Sequence, residues 1–432
     1  MTVAFGETGG GPESSSFPWN PPPKGTRGME LPERADVLIV GGGIIGLTLA
    51  RELAGLGYER IVILEKEPAP GHHASGRNSG VLHAGVYYAE ESMKARSCLR
   101  GNRLMKAYCR EKGLTVLEAG KLVVARSEAE LPTLDTLFRR ARANGAAVEM
   151  IDEARLAQIE PNARTAGRAM HVHDTAMVDP REVLRALRRD LEDSGSVRMV
   201  FDCELTGLRG ARTAATSRGT IRFDRFVNAA GAHCDRVARR FGVGEKYRMV
   251  PFKGIYFKLR EGLPWTVNGN IYPVPDIRNP FLGVHFTRNV HGPIYLGPTA
   301  IPAFGRENYG ILEGIDAEGL EILLTDATLF FANPKFRQVA LAEPRKYLKS
   351  FFYKDAAALV KRLEPEDVVP SDKSGIRAQL VDWESKELVM DFLVAADGDA
   401  VHVLNPISPA FTSSMYLAKV IAGDHFGGPG PD

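Results

Sequence analysis

The hydrophobic positions of this chain change rhythm several times, and each change predicts an element. Residues 35–40, ADVLIV, form a continuous apolar run of the kind found in a strand buried on both faces. GGGIIG follows, then TLARELAGLGY with apolar positions at helical spacing, then a second apolar run in RIVILEKE. This reads as strand, glycine turn, helix, strand. Helical spacing returns at 92–112, at 128–145 with Gly145 as its C-cap, and at 179–195, where Asp179 and Pro180 open the helix. KLVVA at 121–125 is a strand, and residues 247–300 alternate aromatic and β-branched residues with Pro and Gly, as an antiparallel sheet does. Residues 344–366 read as a basic helix carrying Phe351, Phe352 and Tyr353.

Composition narrows the picture. A chain of 432 residues exceeds one ordinary core, so two domains are expected, or one nucleotide-binding domain with a substrate domain inserted into it. The first 33 residues are rich in Gly, Pro and Ser and read as a flexible tail without a signal or transit pattern, which makes cytoplasm the default location. A net charge of +2 with interspersed signs gives no basic field for nucleic acid. Cys98, Cys109, Cys203 and Cys234 form no CxxC pair and read as free, mostly buried thiols. His171 and His173 sit at strand spacing with no third ligand in view, so no metal is expected.

Gly41, Gly43 and Gly46 complete GxGxxG between strand and helix, where they permit a tight turn, a close backbone approach to pyrophosphate and close helix packing. Glu65 ends the next strand, at the distance of a carboxylate that accepts ribose hydroxyls; an acid there argues against a 2′-phosphorylated cofactor. The fingerprint alone fits NAD or FAD. Further small-residue segments, VNAAGAHCDRVA at 227–238 and NPISPAFTSSM at 405–415, suggest an elongated ligand held along its length, which favours FAD. The stretch GHHASGRNSGVLHAGVYY at 71–88 then reads as a path along that ligand, with Ser75, Gly76, Ser79 and Gly80 as close-approach positions.

With these motifs in hand, the chain from about 34 to 420 resembles the L-2-hydroxyglutarate dehydrogenase or oxidase family, within the flavoenzymes that include D-amino acid oxidase. DVLIVGGGIIG, Glu65 and VNAAGAHCD carry the broad likeness; SGRNSGVLHAGVYY, PFLGVHFTRNVHGPIYLGPTA, SGIRAQLVD and VLNPISPAFTSS carry the narrower one. The resemblance implies an α/β fold with a discontinuous Rossmann-type FAD domain (34–95, 165–235 and 372–432) and an antiparallel-sheet α+β substrate domain (96–164 and 236–371). It implies oxidation of L-2-hydroxyglutarate, or a close L-2-hydroxy acid, to 2-oxoglutarate, with quinone or oxygen as the electron acceptor. The basic 344–366 segment reads first as a helix packed on its own domain and second as a peripheral contact with the inner face of a membrane. Cofactor contacts are expected at Gly41, Gly43, Ile44, Gly46, Glu65, Lys66, Ser75, Asn78, Ser79, Gly80, Leu205, Ala230, Gly231, Asn405, Ser408 and Pro409.

The reaction needs a base for the hydroxyl proton and donors for two carboxylates. His83 in SGVLHAG and His285 in GVHFTR are the two candidates for the base, since imidazole titrates near neutrality. Arg377 in GIRAQ offers a planar fork to a carboxylate, with Arg288 as the second choice. Tyr87, Tyr88 and Tyr256 offer phenol donors, and Lys253 stands where the family more often has Arg, so it would act as a point charge. The rival readings are an amine oxidase of the same fold, acting on glycine, sarcosine or a D-amino acid, and a non-catalytic flavin-bearing assembly factor.

Overall fold

The computed structural model describes residues 30–276, 281–311, 313–314 and 318–430; most of the expected tail, 1–29, lies outside them. Among the described residues two large sheets carry the architecture. In the first, Arg34–Val40 lies between Ile61–Leu64 and Gly219–Asn228 in parallel register, flanked by Val197–Val200 and Ala400–Val403. Alternation sorts its two faces. Val37, Ile39, Ile61 and Ile63 pack against the helices Ile44–Gly55, Met93–Glu111, Pro180–Asp193 and Ala410–Phe426, while Leu38, Val40, Val62 and Leu64 enter a second core with Phe223 and Phe226.

The second sheet is mostly antiparallel. Its spine is the long pair Tyr247–Leu259 and Val368–Asp382, in which Phe252 lies opposite Arg377 and Gly254 opposite Gly375. Ile294–Gly297, His285–Arg288 and Asn270–Pro273 extend it antiparallel, but Asn270–Pro273 meets Lys121–Val124 in parallel. Long-range connections thus bring residue 121 beside residue 272.

The expected domain limits differ from these sheets in two places. Met93–Glu111 packs with Ala410–Phe426 on the first sheet, at a crossing so close that a Cβ on Gly101 would lie 2.4 Å from the Thr412 carbonyl oxygen. Arg168–Val172 and Val368–Asp382 belong to the second sheet. Helix packing decides the first and strand pairing the second, and single-segment periodicity sees neither. The 344–366 segment is also not one helix: Pro344–Tyr347 is a short turn of 3-10 helix, Lys349–Ala357 is helical, and Phe352 is buried while Phe351 is exposed.

A dinucleotide cleft that ends at two buried histidines

A cavity of about 720 Å³ runs from the glycine turn of the first sheet to the inner strands of the second. At one end, Gly41 adopts φ +112°, and a Cβ there would lie 2.3 Å from the Ala229 carbonyl oxygen. Gly46 could carry no side chain either, since a Cβ would come within 2.0 Å of the Gly41 carbonyl oxygen. Only glycine permits this turn to press against the helix start. The helix N-terminus at Gly43 has no side-chain cap of its own; Ser75 Oγ, from the 71–88 stretch, accepts the Ile44 N–H at 2.9 Å. Buried Glu65 accepts the Gly42 and Glu67 amides at 2.8 and 2.9 Å, while burial pushes its carboxyl upward.

These features suit FAD: a glycine turn pressed against a helix start, a carboxylate placed for ribose hydroxyls, and an elongated cleft. Gly41, Gly43, Ile44, Glu65, Lys66, Ser75, Asn78, Ser79, Leu205, Ala230, Gly231, Ser408 and Pro409 all line the cavity. Gly46, Gly80 and Asn405 do not. Gly46 shapes the turn, and Gly80 (φ +79°) lets the chain approach the Val178 carbonyl. Asn405 is fully buried, accepting the Leu380 N–H and donating to the Val389 and Asp391 carbonyls, which ties the 405–409 segment to the second sheet.

Across the cleft mouth lies a polar cluster that sequence reasoning missed. Glu307 meets Lys66 at 2.8 Å and His233 at 2.9 Å, and His73 bonds to Tyr309 at 2.7 Å and Glu67 at 2.8 Å. Arg77 stacks on the same Tyr309 ring, 3.9 Å from its centroid. The neighbouring Arg306 anchors this loop through a buried bidentate pair with Asp235 and a second pair with Glu318. The loop is distant in sequence from the fingerprint, so no local pattern links them.

At the far end the cavity is walled by His83, His285, Tyr256, Tyr272 and Arg377. His285 Nδ1 lies 2.8 Å from the Gly283 carbonyl, which can only accept, so Nδ1 carries the proton and Nε2 is the acceptor. Its ring stacks on Tyr272, with centroids 3.7 Å apart and planes at 18°. Burial drives the His285 imidazole down to about 3 and holds His83 well below its ordinary value, with Lys121 charge adding to both. Both rings are therefore neutral at physiological pH. The His83 backbone N–H donates to Thr412 Oγ1 at 3.2 Å, and Thr412 in turn donates to the Val81 carbonyl. Arg377 stands 5.1 Å over the Phe281 ring, its charge acted on by Tyr88 and Tyr256.

Three expected substrate contacts point elsewhere. Lys253 alternates with Phe252 along its strand, so it leaves the Arg377 face and donates to Asn308 Oδ1 and the Gly310 carbonyl. Arg288 donates to the Val267 carbonyl on the opposite strand face from His285. Tyr88 does not line the cavity; Lys94 sits 5.7 Å over its ring. Tyr272 was missed, although strand register would have found it: Asn270 pairs with Thr287 and Ile271 with Phe286, which brings Tyr272 to His285. His171 and His173 lie outside the cleft with ring centroids 4.1 Å apart, and strand pairing brings Glu149 opposite His171, so that the ligand-type atoms of all three lie within 4.8 Å of one another and the third candidate ligand that the sequence did not show is present. All four cysteines are free and buried.

Comparison with known proteins agrees with this geometry. The family described as DAO, FAD dependent oxidoreductase, matches residues 36–423. The chain is 35% identical over 392 residues to the L-2-hydroxyglutarate dehydrogenase of Escherichia coli (strain K12), covering 89% of this chain and 92% of that protein. It is 34% identical over 420 residues to the mitochondrial L-2-hydroxyglutarate dehydrogenase of Homo sapiens, covering 90% and 88%. Two solved structures share its fold. They are the FAD-bound L-alpha-glycerophosphate oxidase of Mycoplasma pneumoniae (TM-score 0.71, 20% identity, 90% of this chain and 93% of that one) and the glycine oxidase of Geobacillus kaustophilus (TM-score 0.68, 21% identity, 92% and 96%). A glycine turn built for a pyrophosphate, a cleft that runs to a neutral histidine pair, and a family match over nearly the whole sequence make this chain a member of the FAD-dependent oxidoreductases.

Proposed function

We propose that this protein oxidises L-2-hydroxyglutarate, or a close L-2-hydroxy acid, to the corresponding 2-oxo acid. The observation that carries the proposal is His285 held in a single tautomer, with a neutral acceptor nitrogen at the same cavity end as His83 and Arg377. His285 Nε2 takes the hydroxyl proton as the substrate O–H breaks and an N–H forms on the ring. When bound, FAD supplies the acceptor for the hydride that leaves C2. Arg377 offers its fork to a carboxylate, and Tyr256, which burial keeps protonated, donates a phenolic hydrogen bond. His83, buried at the same end of the cavity, is the second candidate for the base. The 34–35% identical relatives bear the dehydrogenase name over about nine-tenths of their length, which supports the choice of substrate.

For reoxidation we place the acceptor at a membrane quinone. The helix Gly319–Ala332 buries Ile322 and Leu329 with Thr325 and Asp326, yet leaves Leu320, Leu323, Leu324 and Phe331 exposed on its outer side. Lys335, Arg345, Lys349 and Lys354 are exposed on the segments that follow, against the exposed Glu321, and this suits an anionic lipid surface. Among the described residues no helix is long and apolar enough to cross a membrane, so the contact would be peripheral.

Product analysis after anaerobic incubation with a panel of hydroxy and amino acids tests the chemistry. One 2-oxoglutarate per reduced flavin from the L-hydroxy acid is expected; reduction by glycine, sarcosine or a D-amino acid instead would favour an amine oxidase.

A further inference from the structure

Lys121 is among the largest fully buried side chains of the protein, 1% exposed, and its amine finds no hydrogen-bond partner among the described residues. It lies 4.4 Å from the centroid of the Tyr87 ring and 5.1 Å from that of Tyr272, and Tyr272 is the ring on which His285 stacks. Among the described residues the Tyr87 hydroxyl has no hydrogen-bond partner. A buried ammonium without a carboxylate is expensive, and two aromatic faces offset only part of that cost. The groups that face it are the two tyrosines, the buried Cys98 thiol and the two histidines, on which its charge acts directly. No established step uses this lysine.

We propose that Lys121 is a positioning residue for the reaction: its amine, held under the Tyr272–His285 stack, sets through its own charge how readily the histidine pair accepts the substrate proton. This rests on the histidine base proposed above. When Lys121 is an ammonium, a second positive charge on His285 is disfavoured; when Lys121 is a neutral amine, the imidazolium forms without that repulsion. Burial draws its ionisation down to about 7, whereas the imidazoles ionise far lower, so the histidines themselves give no rate change near neutrality. The sign follows: flavin reduction accelerates as pH rises through about 7.

Rapid anaerobic mixing with L-2-hydroxyglutarate, from about pH 6 to about pH 9, tests this on the FAD-loaded enzyme. Wild type should gain about tenfold in reduction rate across that range. Lys121→Met should lose the pH dependence, and Lys121→Arg, permanently charged, should remain at the slow acidic rate throughout. Tyr87→Leu, which removes one ring from the cation, should move the midpoint to lower pH. Lys94, also drawn down to about 7 by burial but facing Tyr88, Phe392 and the Arg377 charge and not the histidines, is the control: at saturating substrate Lys94→Met should keep the limb. A flat wild-type profile overturns the proposal, and this arm needs no variant to fold. Variants that slow reduction equally at every pH also overturn it and leave Lys121 as packing. Absence of any reduction in wild type would instead defeat the parent reading.

Discussion

The two ends of the cleft recognise their ligands by different means. The nucleotide end is built from backbone: a left-handed glycine, a helix start whose own N-cap is a glycine, and one carboxylate that accepts two N–H groups. The far end is built from side chains delivered by separate strands, with His83 just after the short strand Val81–Leu82, His285 and Tyr272 on paired strands, and Arg377 on the long spine. Substitutions should therefore fail differently at each end. Changes near Gly41 should cost cofactor and stability together, while changes near His285 should cost chemistry and leave the yellow protein intact.

The largest effect should come from His285→Gln, which keeps a polar side chain but removes the base. Flavin reduction should slow by about 10²–10⁴-fold with flavin content unchanged, as read by absorption and stopped-flow kinetics. Arg377→Met should follow, with about 10²-fold lower kcat/KM from the loss of charge-assisted bonds to a carboxylate. Arg377→Lys should recover part of that loss, because it restores charge without the fork. Gly41→Ala sharpens the other side. With φ at +112° and a carbonyl oxygen 2.3 Å from the new Cβ, it should cost about 2–4 kcal/mol and release FAD, seen as a lower Tm and a colourless protein. The smallest effect belongs to neither end: Leu323→Glu with Phe331→Glu should leave flavin reduction intact and weaken binding to anionic vesicles about tenfold in co-sedimentation. Equal binding by that variant would remove the membrane contact.

The same contrast explains what could be read from the sequence. The fingerprint was legible because its requirements are local: Gly41, Gly43, Gly46 and the strand bearing Glu65 lie within 25 residues, and each has one physical reason. The 71–88 stretch was legible for a related reason, since a single segment supplies Ser75, Asn78, Ser79 and His83 to the cavity wall. The far end was only partly legible. His83, His285 and Arg377 stood out by chemistry, but Lys253 and Arg288 have the same chemistry and face away, a difference set by strand alternation and not by residue type. Tyr272 and Lys121 gave no signal at all. An aromatic in an alternating sheet and a lysine opening an apolar strand are ordinary until the parallel pairing of Asn270–Pro273 with Lys121–Val124 brings them together under His285.

The division between a backbone-built cofactor end and a side-chain-built reaction end rests on the hydroxy-acid chemistry assigned to the second. Rapid anaerobic mixing of the purified FAD-bound protein with each enantiomer of 2-hydroxyglutarate tests that assignment most directly. The L enantiomer should bleach the flavin in wild type and fail to do so at a comparable rate in His285→Gln, with the D enantiomer inert. A flavin left oxidised by L-2-hydroxyglutarate, or bleached as fast without the imidazole, would contradict the account.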